Sequence, residues 1–216
     1  MSWLDAGFEL FGEHILWTDL VGNVLSLLVV WLAIRKTIWT WPVQLTGALL
    51  LLAASAHAHA PGNALKQVLF CGLAGYGWWR WSRGLRGGDD LPVRPATPRE
   101  RVVLVGALAA GTGALALVFA NVGWLQVTWS PLANAYIFVG SAVATFGQGR
   151  ALVDFWIVWV LVDLVGVPLA IKSGLYVSGA VYGVFFVLVL IGFRRWLGEY
   201  RRRVARTGAQ VEAVTA

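Results

Sequence analysis

Residues 77–81 read Gly-Trp-Trp-Arg-Trp, and residues 192–196 read Gly-Phe-Arg-Arg-Trp. The shared Gly-x-x-Arg-Trp pattern closes two long apolar runs that lie 115 residues apart. Moving outward at that offset without a gap, Phe70 aligns with Phe185, Leu49 with Leu164, Val43 with Val158, Trp41 with Trp156, Arg35 with Arg150 and Ser26 with Ser141. Leu and Val coincide by chance in any two apolar helices. Coincidences of Gly, Arg and Trp without a gap are far harder to obtain, so the spacing predicts an internal repeat.

The apolar runs cover 17–34, 39–56, 64–81, 102–120, 132–149, 152–171 and 175–197. Each is near the ~20 residues that cross a bilayer as a helix. The runs are continuous rather than alternating, which argues against a β-barrel. Of the 216 residues, 58% are hydrophobic and 13% charged, with a mean hydropathy of +0.70. A soluble domain carries about 25% charged residues, so a soluble enzyme and a disordered chain are both excluded. The expectation is an all-α integral membrane protein. The single cysteine, Cys71, allows no intramolecular disulfide and no cysteine metal cluster.

The repeat sorts the seven spans into three, one and three. Residues 1–16 form an N-terminal segment, 17–81 the first triplet, 82–101 a polar loop, 102–120 a linker helix, 132–197 the second triplet and 198–216 a basic tail. An odd linker span carries the chain across once more, so both triplets enter from the same side. Such parallel repeats, in a SWEET-like arrangement, place a substrate site near the midplane between them.

Orientation follows from Lys and Arg, which concentrate on the cytoplasmic side. The first sixteen residues hold Asp5, Glu9 and Glu13 and no Lys or Arg, which predicts an external N-terminus and an internal C-terminus. Fifteen of the seventeen basic residues then fall inside, and only Lys66 and Lys172 outside. The net charge of +6 therefore reads as membrane topology rather than a nucleic-acid surface. The acidic start also lacks the basic region of a cleavable signal peptide.

Polar groups at depth are the candidate site. Asp163 is a carboxylate well inside a span, where a charge costs at least ~2.5–3.5 kcal/mol unless it faces protein or water. Trp156, Trp159 and Asp163 share one helical face, and the repeat-equivalent face carries Trp41, Gln44 and Ala48. Gln67 has Tyr182 as its repeat mate, and Asn23 has Phe138. Rings stack on a flat heteroaromatic ligand, and amides or a carboxylate suit a polyol or ribose.

Plainer readings stand beside these. Tryptophans near span ends belong to interface belts, which covers Trp17, Trp39, Trp78, Trp81 and Trp196 and competes for Trp41 and Trp156. Asp163 could bond a neighbouring helix, Pro42 and Pro168 could be kinks, and His57 and His59 are read as solvated. Walker, nucleophile-elbow and metal signatures are absent from the sequence, so ATP hydrolysis, catalysis and a resident metal or cofactor are not expected.

The runs Trp39-Thr40-Trp41-Pro42-Val43-Gln44, Tyr76-Gly77-Trp78-Trp79-Arg80-Trp81 and 156–168 (WIVWVLVDLVGVP) resemble the PnuC vitamin transporters. The likeness covers about residues 10 to 197. Within that family, residues 14–23 (HILWTDLVGN), 41–44 (WPVQ), 135–140 (AYIFVG) and 162–168 (VDLVGVP) are most similar to the RibM branch, which adds Tyr136 to the candidate residues. The resemblance implies facilitated diffusion of an unphosphorylated vitamin precursor across a bacterial cytoplasmic membrane, followed by phosphorylation in the cytoplasm. It implies riboflavin as substrate, with nicotinamide riboside as the alternative, and a homo-oligomer, by the family a trimer. A vitamin-binding subunit of an ATP-driven importer and a membrane enzyme are the competing classes. The parallel repeat argues against the first, and the lack of a catalytic cluster at depth against the second.

Overall fold

The computed structural model describes residues 7–10, 13–57, 61–85, 91–122, 130–172 and 176–215. A short antiparallel hairpin opens the chain, β1 (Gly7–Leu10) pairing with β2 (Glu13–Leu16). Seven helices follow: α1 (Trp17–Ile34), α2 (Thr40–His57), α3 (Pro61–Leu85), α4 (Pro98–Asn121), α5 (Pro131–Gly149), α6 (Phe155–Lys172) and α7 (Tyr176–Thr215). The hairpin was not expected from the sequence. Nor was the length of α7, which continues through the basic 198–215 segment, rich in the strong helix formers Ala, Arg and Glu.

The repeat is visible in the helix ends. Shifted by 115, α2 falls on α6 at both ends, the last residue of α1 falls on that of α5, and the first residue of α3 on that of α7. The α1–α2 and α5–α6 turns are built alike. Lys36 (φ 57°) and its mate Ala151 (φ 54°) are both left-handed. The Lys36 N–H donates to the Ala33 carbonyl at 3.0 Å and the Thr37 N–H to that of Leu32 at 3.2 Å. Ala151 donates to Gln148 at 2.9 Å and Leu152 to Gly147 at 3.0 Å. Both are helix-closing Schellman turns, in which the left-handed position normally takes glycine. Holding another residue there costs about 1–2 kcal/mol, and both repeats tolerate it because the turn satisfies the last helix carbonyls.

Packing repeats as well. The Trp41 indole lies on Gly77, where an added Cβ would sit 2.2 Å from Cη2, and the Trp156 indole lies on Gly192, where the distance would be 2.5 Å. Trp41 meets Trp81 edge-on at 5.2 Å between ring centroids, and Trp156 meets Trp196 at 5.7 Å. All four tryptophans are buried. The repeats exchange one hydrogen bond each way: Trp81 Nε1 donates to the Gln148 carbonyl at 3.1 Å, and Trp196 Nε1 to the Ala33 carbonyl at 3.2 Å. Donors and acceptors are both repeat mates, so the two halves are related by a pseudo-two-fold axis. Six helices close a ring in the order α1, α2, α3, α5, α6, α7, and α4 packs outside against α5.

The segment before α4 is fastened to the second repeat. Leu91, Val93 and Ala96 are buried. Arg94 N–H donates to the Ala151 carbonyl at 3.2 Å, and Val153 N–H donates to the Arg94 carbonyl at 2.8 Å. Thr97 and Glu100 form a capping box at the start of α4. Glu100 also takes a two-pronged hydrogen bond from Arg94, both arms 2.7 Å, and one from Arg150 at 2.8 Å. The Arg94 guanidinium, and then the Thr97 N–H, hold the Glu100 carboxyl well below the usual carboxylate range.

Candidate substrate cavity

A cavity of about 170 Å³ lies inside the six-helix ring. All six ring helices contribute. Four pairs of repeat mates line it together: Val30 with Thr145, Ala33 with Gln148, Gln44 with Trp159, and Phe70 with Phe185. The cavity therefore straddles the pseudo-axis, as a site shared by two parallel repeats must.

One wall is aromatic. Trp159 and Phe185 meet edge-on at 5.6 Å between ring centroids, and Phe155 and Trp156 lie 4.3 Å apart. Polar groups are interspersed: Ser26, Gln44, Gln67, Thr145 and Gln148. Three buried polar atoms of the lining residues, Gln44 Oε1, Gln148 Nε2 and Trp156 Nε1, have no hydrogen-bond partner among the described residues. A buried unpaired polar group costs about 1–3 kcal/mol, so this lining is poorly satisfied by the protein alone. Gly47 and Ala48 keep the α2 wall low, and a Cβ added at Gly47 would meet Leu25 at 3.9 Å.

The candidates named from the sequence are distributed unevenly. Trp156, Trp159, Gln44 and Gln67 lie on the cavity wall. Phe138 stands behind it, its ring 6.3 Å from that of Phe70, and Tyr136 is half-buried on α5. Trp41 is outside the wall, wedged between Gly77 and Trp81. Asp163 is buried in a separate crevice with Leu164, Val167, Pro168, Gly183 and Phe186. Its seven-residue separation from Trp156 preserves the helical face but adds about 10 Å along the axis. The side chains of Asn23 and Tyr182 lie outside the described residues. Thr145, Gln148 and Phe155 were not singled out from the sequence, since they sit at or beside the α5–α6 turn and read as span ends. Phe70 and Phe185 carried a usable signal, because the repeat had already paired them.

With this geometry in place, comparison with known proteins is decisive. The family described as nicotinamide mononucleotide transporter matches residues 16–198. The chain belongs to the nicotinamide mononucleotide transporter family. This family member is 44% identical over 205 residues to the riboflavin/roseoflavin transporter RibM of Streptomyces davaonensis, covering 94% of this chain and 95% of that one. It is 24% identical over 217 residues to the nicotinamide riboside transporter PnuC of Escherichia coli, covering 90% and 91%. The crystal structure of the vitamin B3 transporter PnuC has the same fold, with a TM-score of 0.69, 17% identity, and coverage of 86% of this chain and 83% of that one. The family member is thus a multi-pass membrane protein of seven helices in a three-one-three arrangement.

Proposed function

We propose that the protein carries riboflavin into the cell by facilitated diffusion, and that phosphorylation in the cytoplasm then retains it. The observation that carries this reading is the 44% identity with a riboflavin/roseoflavin transporter over nearly the full length of both chains. The cavity chemistry supports it. Trp156, Trp159 and their aromatic neighbours offer faces for a three-ring head, and Gln44, Gln67, Gln148 and Thr145 offer partners for ribityl hydroxyls. Trp41, Asp163, Phe138, Tyr136, Asn23 and Tyr182 are proposed to act around this core, Asp163 from the neighbouring crevice.

Clefts that enclose ligands of this size usually span ~300–1,000 Å³. The cavity of about 170 Å³ must therefore widen on entry, and the Trp159–Phe185 contact is the one we expect to part. Nicotinamide riboside is the second reading, favoured by the likeness to PnuC. In the proposed orientation the N-terminus is external, the C-terminus cytoplasmic, and the protein a homo-oligomer, a trimer by the family resemblance. Liposomes holding only this protein should equilibrate riboflavin down its gradient without ATP, and failure to do so would refute the uniporter reading. A C-terminal reporter active only outside the cytoplasm would overturn the orientation.

A further inference from the structure

A second cavity, of about 610 Å³, opens between the end of α3, the 91–94 segment, the α5–α6 turn and α7. Five arginines stand on its wall: Arg80, Arg83, Arg94, Arg150 and Arg203. Arg94 and Arg150 share the single carboxylate of Glu100. Arg83 lies over the Trp79 ring, 4.2 Å from its centroid. The guanidinium groups of Arg80 and Arg203 have no hydrogen-bond or ion-pair partner among the described residues.

The repeat supplies an internal control. At the corresponding corner of the second repeat, Glu199 pairs with Lys36 at 2.7 Å and lies 3.9 Å from Arg195, the mate of Arg80. The mate of Glu199 is Gly84, which lines the cavity. One corner thus sets a carboxylate between its two cations, and the other has glycine at that position and keeps five arginines around an open space with the single carboxylate of Glu100.

We propose that this cavity binds a phosphate-bearing anion. Guanidinium forks match phosphate oxygens in charge and geometry, and basic pockets between helices at the membrane boundary hold phosphate headgroups. The anion could come from an anionic phospholipid or from a soluble phosphate. The half-exposed Trp78 and Trp79 beside the cavity are the residue type that sits at headgroup level, which favours the lipid. An occupant would touch Arg80 and Arg83 of the first repeat and Arg150 of the second.

The test uses the full chain in a neutral detergent. Native mass spectrometry reads retention of phosphatidylglycerol against phosphatidylcholine, and a thermal-shift titration with inorganic pyrophosphate reads the soluble source. Arg80→Gln combined with Arg203→Gln removes the uncompensated charges, and Gly84→Glu supplies the missing carboxylate. Arg201→Gln combined with Arg202→Gln, exposed on α7 and outside the cavity, is the control. Wild type and control are expected to retain phosphatidylglycerol over phosphatidylcholine, and both cavity variants to bind it at least tenfold more weakly. The same pattern with pyrophosphate in place of the lipid would support the site and assign the soluble source. Neither anion bound by wild type above the phosphatidylcholine level, or equal losses in control and cavity variants, would overturn the proposal.

Discussion

Replacing Gly77 by alanine places a methyl 2.2–2.4 Å from three ring carbons of Trp41. Carbon atoms pack at about 3.5–4.0 Å, so the ring must retreat by more than about 1 Å. It has nowhere to go: Trp41 is fully buried and Trp81 abuts it at 5.2 Å. Overpacking of this kind costs about 1–3 kcal/mol, against a gain of about 1 kcal/mol from replacing glycine in a helix. Gly77→Ala should therefore lose up to about 2 kcal/mol. Gly72→Ala, on the same helix with nothing within 4 Å of the added carbon, should gain up to about 1 kcal/mol. Gly192→Ala should behave like Gly77→Ala, because Trp156 occupies the equivalent seat. Thermal midpoints of the purified variants in one detergent read the contrast. If Gly77→Ala and Gly192→Ala melt no lower than Gly72→Ala, the tryptophan-on-glycine packing of the two repeats is misassigned.

Trp159→Ala should weaken riboflavin binding at least tenfold, about 1.4 kcal/mol, and an affinity within twofold of wild type in an equilibrium titration would remove Trp159 from the site. Asp163→Asn should change that affinity less than Gln44→Leu does, since Gln44 lines the cavity and Asp163 lies in its own crevice; the reverse order would place the carboxylate at the substrate. Glu100→Gln should lower the thermal midpoint near neutral pH. Because the folded Glu100 titrates below the ordinary glutamate value of about 4.3, its stabilisation is present above that value and lost as pH falls towards the depressed one. The gap between variant and wild type should shrink on acidification, and a gap constant with pH would refute the ion-pair origin.

The fold was legible because the repeat is written in residues that packing constrains. Trp41 needs Gly77 beneath it and Trp156 needs Gly192, so these pairs keep their offset, whereas matching leucines and valines could arise by chance in any two apolar helices. The lining of the candidate cavity was legible in part. Periodicity assigns a face, which brought Trp156, Trp159 and Gln44 to the cavity, but it carries no depth, so Asp163 was grouped with residues it does not join. Gln148 and Thr145 escaped notice because a short turn between helices resembles a boundary rather than a wall. The N-terminal hairpin and the extension of α7 past residue 197 lie beyond the apolar runs on which the reading depended.

The substrate assignment is tested most directly by titrating the purified protein with riboflavin and with nicotinamide riboside while its tryptophan fluorescence is followed. Trp156 and Trp159 on the cavity wall should report occupancy. Riboflavin should bind at least tenfold tighter, a difference of about 1.4 kcal/mol. Equal or tighter binding of nicotinamide riboside would contradict the account.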